Sequence, residues 1–284
     1  MLIRTLSPLR GTASFYITAI GISWSCWLPV AAVDRGLVTL PSGLPGMLVI
    51  VGTFGPLFAA LALMARTSGR RGVPALLGQA LRWRVSPVWY LAALVLPVVL
   101  RFGVLGVHML KGGTVPGITD LGHWLALPLT FVFVLVLGGP LGEELGWRGF
   151  MQPRLQTTMG MLPASLIIGV ASAFWHLPLF LIPSSAQSHL PLAVFVVRTV
   201  ALSVILGWLW NRSNRSLLVI LLFHASLNTW PNTLFILEEQ GSAGPYISTT
   251  ILYLGWACVL IVLGQLSDRW SAIKARQDAA EAAA

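Results

Sequence analysis

Eight apolar stretches divide the chain, at residues 13–33, 46–65, 87–109, 121–141, 161–182, 191–210, 216–231 and 246–266. Crossing a hydrocarbon core about 30 Å thick takes about 20 residues of α-helix. Most of the stretches meet that length. The seventh is short and carries polar residues. Between them lie short gaps, with no soluble domain, internal repeat or low-complexity linker. The pattern predicts an all-α polytopic membrane protein of about eight transmembrane helices in one bundle. It forms a single domain over 1–284, with a short polar tail at 270–284 that frays from Gln277 onward. The first stretch follows Arg4 and Arg10 and exceeds the about 7–15 apolar residues of a cleavable signal. It reads as a retained first helix.

Composition agrees. Charged residues make up 10% and hydrophobic residues 56% of the chain, whereas a soluble domain carries about 25% charged residues. The net charge of +9 does not indicate nucleic acid, because the basic residues sit between apolar runs. Arg4 and Arg10 precede the first run. Arg66, Arg70, Arg71, Arg82 and Arg84 fill the second gap, Arg148 and Arg154 the fourth, and Arg212 and Arg215 the sixth. Arg269, Lys274 and Arg276 follow the last. With eight spans, all of these lie on one side. Arg35 and Lys111 lie on the other, with Asp34, Asp120, Glu238 and Glu239. The positive-inside rule then places both termini in the cytoplasm and the protein in the cell (inner) membrane. Arg101 and Arg198 fall inside spans, where they need an internal partner or must snorkel. Cys26 and Cys258 read as small apolar core residues.

Ionisable groups inside membrane helices are costly and tend to be functional. Gly138-Gly139-Pro140 interrupts the fourth run, and Glu143, Glu144 and Arg148 follow it. On a helix Glu144 and Arg148 stand i, i+4 and can pair. Glu143 points about 100° away, toward Trp147 and Phe150. One acid is thus held by a cation. The other faces apolar side chains, a setting suited to a general base. His176 lies late in the fifth run, where Pro178 leaves the carbonyl of Phe174 without its helical partner. His224 and Asn228 share a helix face at i, i+4, and both can donate toward an oxyanion. His108, His123 and His189 fall near outer span ends and read as interfacial. Together the polar groups of the central helices point to one water-filled cavity.

The order Glu-Glu-x-x-x-Arg, then His, then His-x-x-x-Asn, on separate membrane helices, resembles the CPBP family of intramembrane proteases, also called the CaaX protease and bacteriocin-processing (ABI) family. Glu143, Glu144 and Arg148 match the first motif, and His224 and Asn228 the third. The second, Phe-x-x-x-His, is partial. His176 is present, but Ser172 stands at the Phe position and Phe174 lies two residues before the His. The resemblance implies an eight-helix fold with a catalytic cavity open to the cytoplasm. It also implies peptide-bond hydrolysis, which in founding members removes the last three residues after a prenylated Cys. Carried over, Glu143 and His176 activate water, His224 and Asn228 form the oxyanion hole, and Glu144 and Arg148 hold the first motif in place.

That reading requires no cofactor, and its partners are the bilayer and a membrane-associated or lipidated peptide. A zinc alternative would use Glu143, His176 and His224, although no HExxH is present. A non-enzymatic alternative is a membrane immunity or scaffold protein, or a transporter, binding through the same cavity. Transport predicts paired broken helices in both halves, and only the break near Gly138–Pro140 is visible. One tension remains. If the fourth helix ends at Leu141, Glu143 lies near the cytoplasmic end, while His176 lies about 20 Å along its own run.

Overall fold

A computed structural model describes residues 7–112, 121–233 and 244–281. Helices account for nearly all of them, and the described residues contain no strand. The chain begins with α1 (Pro8–Asp34), where the Ser7 side chain accepts from the Arg10 amide and Pro8 opens the first turn. Then follow α2 (Leu44–Thr53), α3 (Gly55–Ser68), the short α4 (Gly72–Leu77), α5 (Pro87–Leu110), α6 (Leu121–Leu137) and α7 (Pro140–Gly146). A π-helical turn at Trp147–Met151 leads directly into α8 (Gln152–Met159). The bundle closes with α9 (Met161–Trp175), α10 (Leu192–Arg212), α11 (Leu217–Thr233) and α12 (Gly244–Glu281).

Each of the eight apolar stretches is helical, but they are not eight equal spans. Six helices among the described residues are long and apolar enough to cross a membrane. The helix pair Leu44–Thr53 and Gly55–Leu77, bent by 51°, is a broken span or a re-entrant loop. The apolar helix Leu217–Trp230 is shorter than a full crossing. Large apolar side chains such as Leu125, Leu129 and Ile251 are more than half exposed, as expected where lipid replaces water. The protein is an integral membrane protein.

The break in the second stretch falls at Phe54-Gly55-Pro56, and α1 covers it. Ser23 Oγ donates to the Gly52 carbonyl at 2.7 Å, and Trp27 Nε1 donates to the Val49 carbonyl at 3.0 Å. Backbone groups that leave the helical ladder inside a membrane need such partners. The same break receives α7. A Cβ on Gly142 would stand 2.5 Å from the Thr53 carbonyl oxygen, and one on Gly146 would stand 2.6 Å from Pro56. Two small residues one turn apart let these backbones meet.

The fourth helix differs most from expectation. It does not end at Leu141. Helix continues through the acidic motif as one segment, Trp124–Met159. Arg148 is therefore not a loop charge, and it drops out of the topological tally. It is 3% exposed. The continuation also removes the depth conflict. Counted from the Gly160 turn, Glu143 lies about 24 Å up one helix and His176 about 22 Å up the next.

The remaining basic gaps do gather at one end. Arg82 donates to the Asn214 carbonyl at 3.1 Å, the Leu217 amide bonds to the Gln79 carbonyl at 3.2 Å, and Arg154 reaches Met64 Sδ at 3.3 Å. At the opposite end, Arg35 donates to the Leu181 carbonyl at 3.0 Å. Arg198 stacks over Tyr246 and Tyr253, with its guanidinium carbon 4.6 and 5.4 Å from the ring centres, and Arg101 is buried. In the tail, α12 runs to Glu281. Its Ala, Glu, Lys, Arg and Gln residues are good helix formers. Of the two acidic outer positions expected after the seventh run, Glu238 and Glu239 lie outside the described residues, as do Asp120 and Arg4.

Candidate active site

Three helical segments carry the polar cluster: α7 with its π turn, the end of α9, and α11. Pro140 starts α7 at a position where its missing N–H costs nothing. Gly139 precedes it with φ +116°. This places Glu143 in the first helical turn, where the positive end of the helix dipole faces the carboxylate. Glu143 is buried. Its carboxylate makes no hydrogen bond or ion pair to another described residue, so it is the freer of the two acids, as the spacing predicted.

Glu144 is the held one. Arg148 Nη1 lies 3.3 Å from Oε1 and 3.2 Å from Oε2. The sequence did not reveal its second partner. His224 Nδ1 donates to Glu144 Oε1 at 2.8 Å from α11. All three side chains are buried. The acid reserved for a structural pair is thus also the group that orients a histidine. A carboxylate on one ring nitrogen directs the other, Nε2, away from it.

His176 is oriented by a different device. Its Nδ1 donates to the Ser172 carbonyl at 2.7 Å. A carbonyl can only accept, so Nδ1 carries a proton and Nε2 is the nitrogen left to the site. Trp175, the residue before it, is fully buried and fixed from α1. Trp175 Nε1 donates to Ser23 Oγ at 2.7 Å, and Trp24 Nε1 donates to the Trp175 carbonyl at 3.0 Å. The His176 ring sits edge-on to Trp175 at 4.6 Å and to Phe195 at 5.2 Å. Phe174 instead points outward, 48% exposed, and packs on Trp24. The aromatic support that the partial second motif lacks comes from Phe195 on α10, which sequence reading missed. No local pattern links Phe195 to His176, since the contact depends on how α10 crosses α9.

Glu143 interacts electrostatically with both His176 and His224, and the two imidazoles interact with each other. Residues 143, 176 and 224 are therefore near enough to feel one another's charge. Asn228 lies one turn beyond His224, half-buried and engaged. Among the described residues, no three His, Cys, Asp or Glu side chains form a metal-binding group. His189 stands apart, its Nε2 donating to the Pro183 carbonyl at 3.1 Å, and His108 closes α5. The side chain of His123 lies outside the described residues. Cys26 and Cys258 are free thiols.

Residues 124–230, which contain the whole cluster, match the family described as type II CAAX prenyl endopeptidase Rce1-like. Over these residues the chain is similar to the CaaX protease (CPBP) family. Among curated proteins it is similar to CAAX prenyl protease 2 of Methanococcus maripaludis, with 26% identity over 136 residues. The similarity covers 46% of this chain and 48% of that protein, so the chain spans about half the length of that relative.

Gly139 gives this candidate site a direct test. A side chain there would adopt an unfavourable left-handed φ, and its Cβ would stand 2.8 Å from Glu143 Oε1. Strain of this kind costs about 1–3 kcal/mol, and misplacing a reacting group by about 1 Å can cost about 100-fold in rate. Gly139→Ala is expected to reduce any activity that depends on Glu143 by about 10- to 100-fold. Steady-state rates of the purified variant would measure it. Wild-type rates in that variant would show that Glu143 does not need its place over Gly139.

Proposed function

We propose that the chain is a glutamate-dependent intramembrane endopeptidase that hydrolyses a peptide bond in a membrane-associated substrate. The supporting observation is the buried Glu143 carboxylate, without a cation of its own, in electrostatic reach of two histidines oriented in different ways. Glu143 takes a proton from water as the oxygen attacks the scissile carbonyl carbon. His176, through Nε2, helps orient that water. The carbonyl oxygen becomes an oxyanion, stabilised by donors from His224 and Asn228. The C–N bond then breaks, and the proton held by Glu143 passes to the leaving amine. The products are a carboxylic acid and an amine, which exchange a proton to become a carboxylate and an ammonium.

The hydrogen-bond partners suggest how the two histidines divide these tasks. A neutral carbonyl holds Nδ1–H of His176 and leaves Nε2 able to accept. An anionic carboxylate holds Nδ1–H of His224 and can offset the charge of a ring protonated at both nitrogens, so Nε2–H can donate to the oxyanion. Glu144 and Arg148 are then positioning groups. The substrate class follows from the family. The Methanococcus relative is named a prenyl protease, and a lipidated C-terminal peptide in the bilayer is the first candidate here. Both termini are assigned to the cytoplasm of the cell membrane, with the cavity open on that side.

The decisive assay uses full-length protein in detergent. A farnesylated peptide with a C-terminal tripeptide after the modified Cys is compared with its unlipidated form, and products are read by mass spectrometry. Release of the tripeptide supports the reading. Release from neither peptide, nor from any membrane protein in a comparison of membrane-protein termini with and without the chain, overturns it. The mechanism is proposed to be metal-free. Chelation followed by metal analysis is expected to leave the rate within about twofold, since the proposed proton transfers use side chains alone. A rate lost on chelation and restored by zinc would replace this mechanism with the metallopeptidase one.

A further inference from the structure

Arg148 has a second anchor that lies outside the Glu-Glu-x-x-x-Arg, His and His-x-x-x-Asn motifs. The π turn rotates its side chain toward α9 and α10. There Nη2 donates to Ser203 Oγ at 3.1 Å, and Ser203 Oγ donates its single proton to the Ser165 carbonyl at 2.7 Å. The hydroxyl is thereby fixed, with a lone pair toward the guanidinium. Ser203 and Ser165 are buried. Arg148 also has an alternative acceptor. Gln152 Oε1, one turn along, is buried without a hydrogen-bond partner among the described residues, as is Arg148 Nε. A guanidinium released from Ser203 can swing to Gln152 and away from Glu144. Glu144 would then lose its cation, and His224 would lose the fixed position of its acceptor.

We propose that Ser203 is a positioning residue for this site: its hydroxyl locks Arg148 onto Glu144 and so holds His224 in register. The kinetic part of the inference rests on the endopeptidase reading above. The structural part does not.

The test compares Ser203→Ala and Ser203→Thr with wild type, all full-length in detergent, with thermal melting to show that each is folded. Two readouts are taken. One is peptide cleavage, resolved into kcat and KM. The other is the rate at which diethyl pyrocarbonate modifies His224 and His176 at one pH, read by peptide mass spectrometry. Ser203→Ala is expected to reduce kcat by about tenfold, the scale of one hydrogen bond to a charged group, with KM nearly unchanged. His224 modification is expected to change while that of His176 stays the same. Ser203→Thr, which keeps a hydroxyl, is expected to restore both. An Ala variant equal to wild type in both readouts overturns the inference. So does a loss that Thr fails to rescue with His224 reactivity unchanged, which marks a packing role. If wild type and all variants cleave nothing, the endopeptidase reading has failed, and the His224 rates alone decide the role of Ser203. If Glu143→Gln is inactive while Ser203→Ala is unaffected in both readouts, the endopeptidase reading stands and the inference fails.

Discussion

Glu143→Gln is expected to reduce peptide cleavage by about 100- to 10,000-fold, the usual contribution of a general base. The substitution preserves size and removes the charge. Glu143 makes no ion pair to another described residue, so the folded state loses little, and the variant should purify and melt like wild type. The same change distinguishes the two readings of the cavity. A protein that only binds a peptide through these polar groups would keep its function with Gln at 143. A Gln variant that cleaves at the wild-type rate would remove Glu143 from the chemistry and the endopeptidase proposal with it. Glu143→Asp provides a geometric control. It keeps the carboxylate but withdraws it by about one methylene, and proton transfer depends on placement near hydrogen-bond distance. It is expected to fall between wild type and Gln.

The bundle was largely legible because lipid imposes a simple rule on every span: long apolar runs and helix throughout. All eight stretches appear as helix for that reason. The errors occurred where polar residues interrupt a run. Leu141 looked like the end of the fourth helix because two acids and an arginine follow it. Glu144 and Arg148 satisfy each other inside the bundle, and helix continues to Met159. The bend at Phe54 was hidden for a different reason. Gly55-Pro56 sits inside an otherwise continuous apolar run, and Ser23 and Trp27, which make the break tolerable, lie on another helix.

The candidate site divides along the same line. The Glu144–Arg148 pair follows from spacing within one helix, and so did the relative freedom of Glu143. The Glu144–His224 bond, the Phe195 contact with His176 and the Ser203 anchor join helices that are far apart in sequence. A single sequence carries no periodicity that links position 144 to position 224. Ser172 illustrates both sides. It looked like a defect in the second motif, because its side chain is not the expected aromatic. The structure uses its backbone carbonyl, which any residue supplies, to orient His176.

The largest stability effect is expected at Arg148. Arg148→Met fills similar space but removes the guanidinium, leaving Glu144 buried with His224 as its only charged partner. Breaking a buried ion pair from one side costs about 3–5 kcal/mol, because the remaining charge is left uncompensated. A correspondingly lower melting temperature in detergent would measure it. Arg148→Lys is expected to recover only part, since an ammonium cannot span both Glu144 oxygens and Ser203 as the planar fork does. Adding Glu144→Gln to Arg148→Met should restore some stability, because it removes the stranded charge, while activity stays low with His224 no longer held by a carboxylate. A single Met variant as stable as wild type would show that the guanidinium does not hold Glu144 in place. The double variant then separates two demands on one residue pair. If stability returns without activity, the Glu144–Arg148 pair is there to aim His224, and the fold carries its cost.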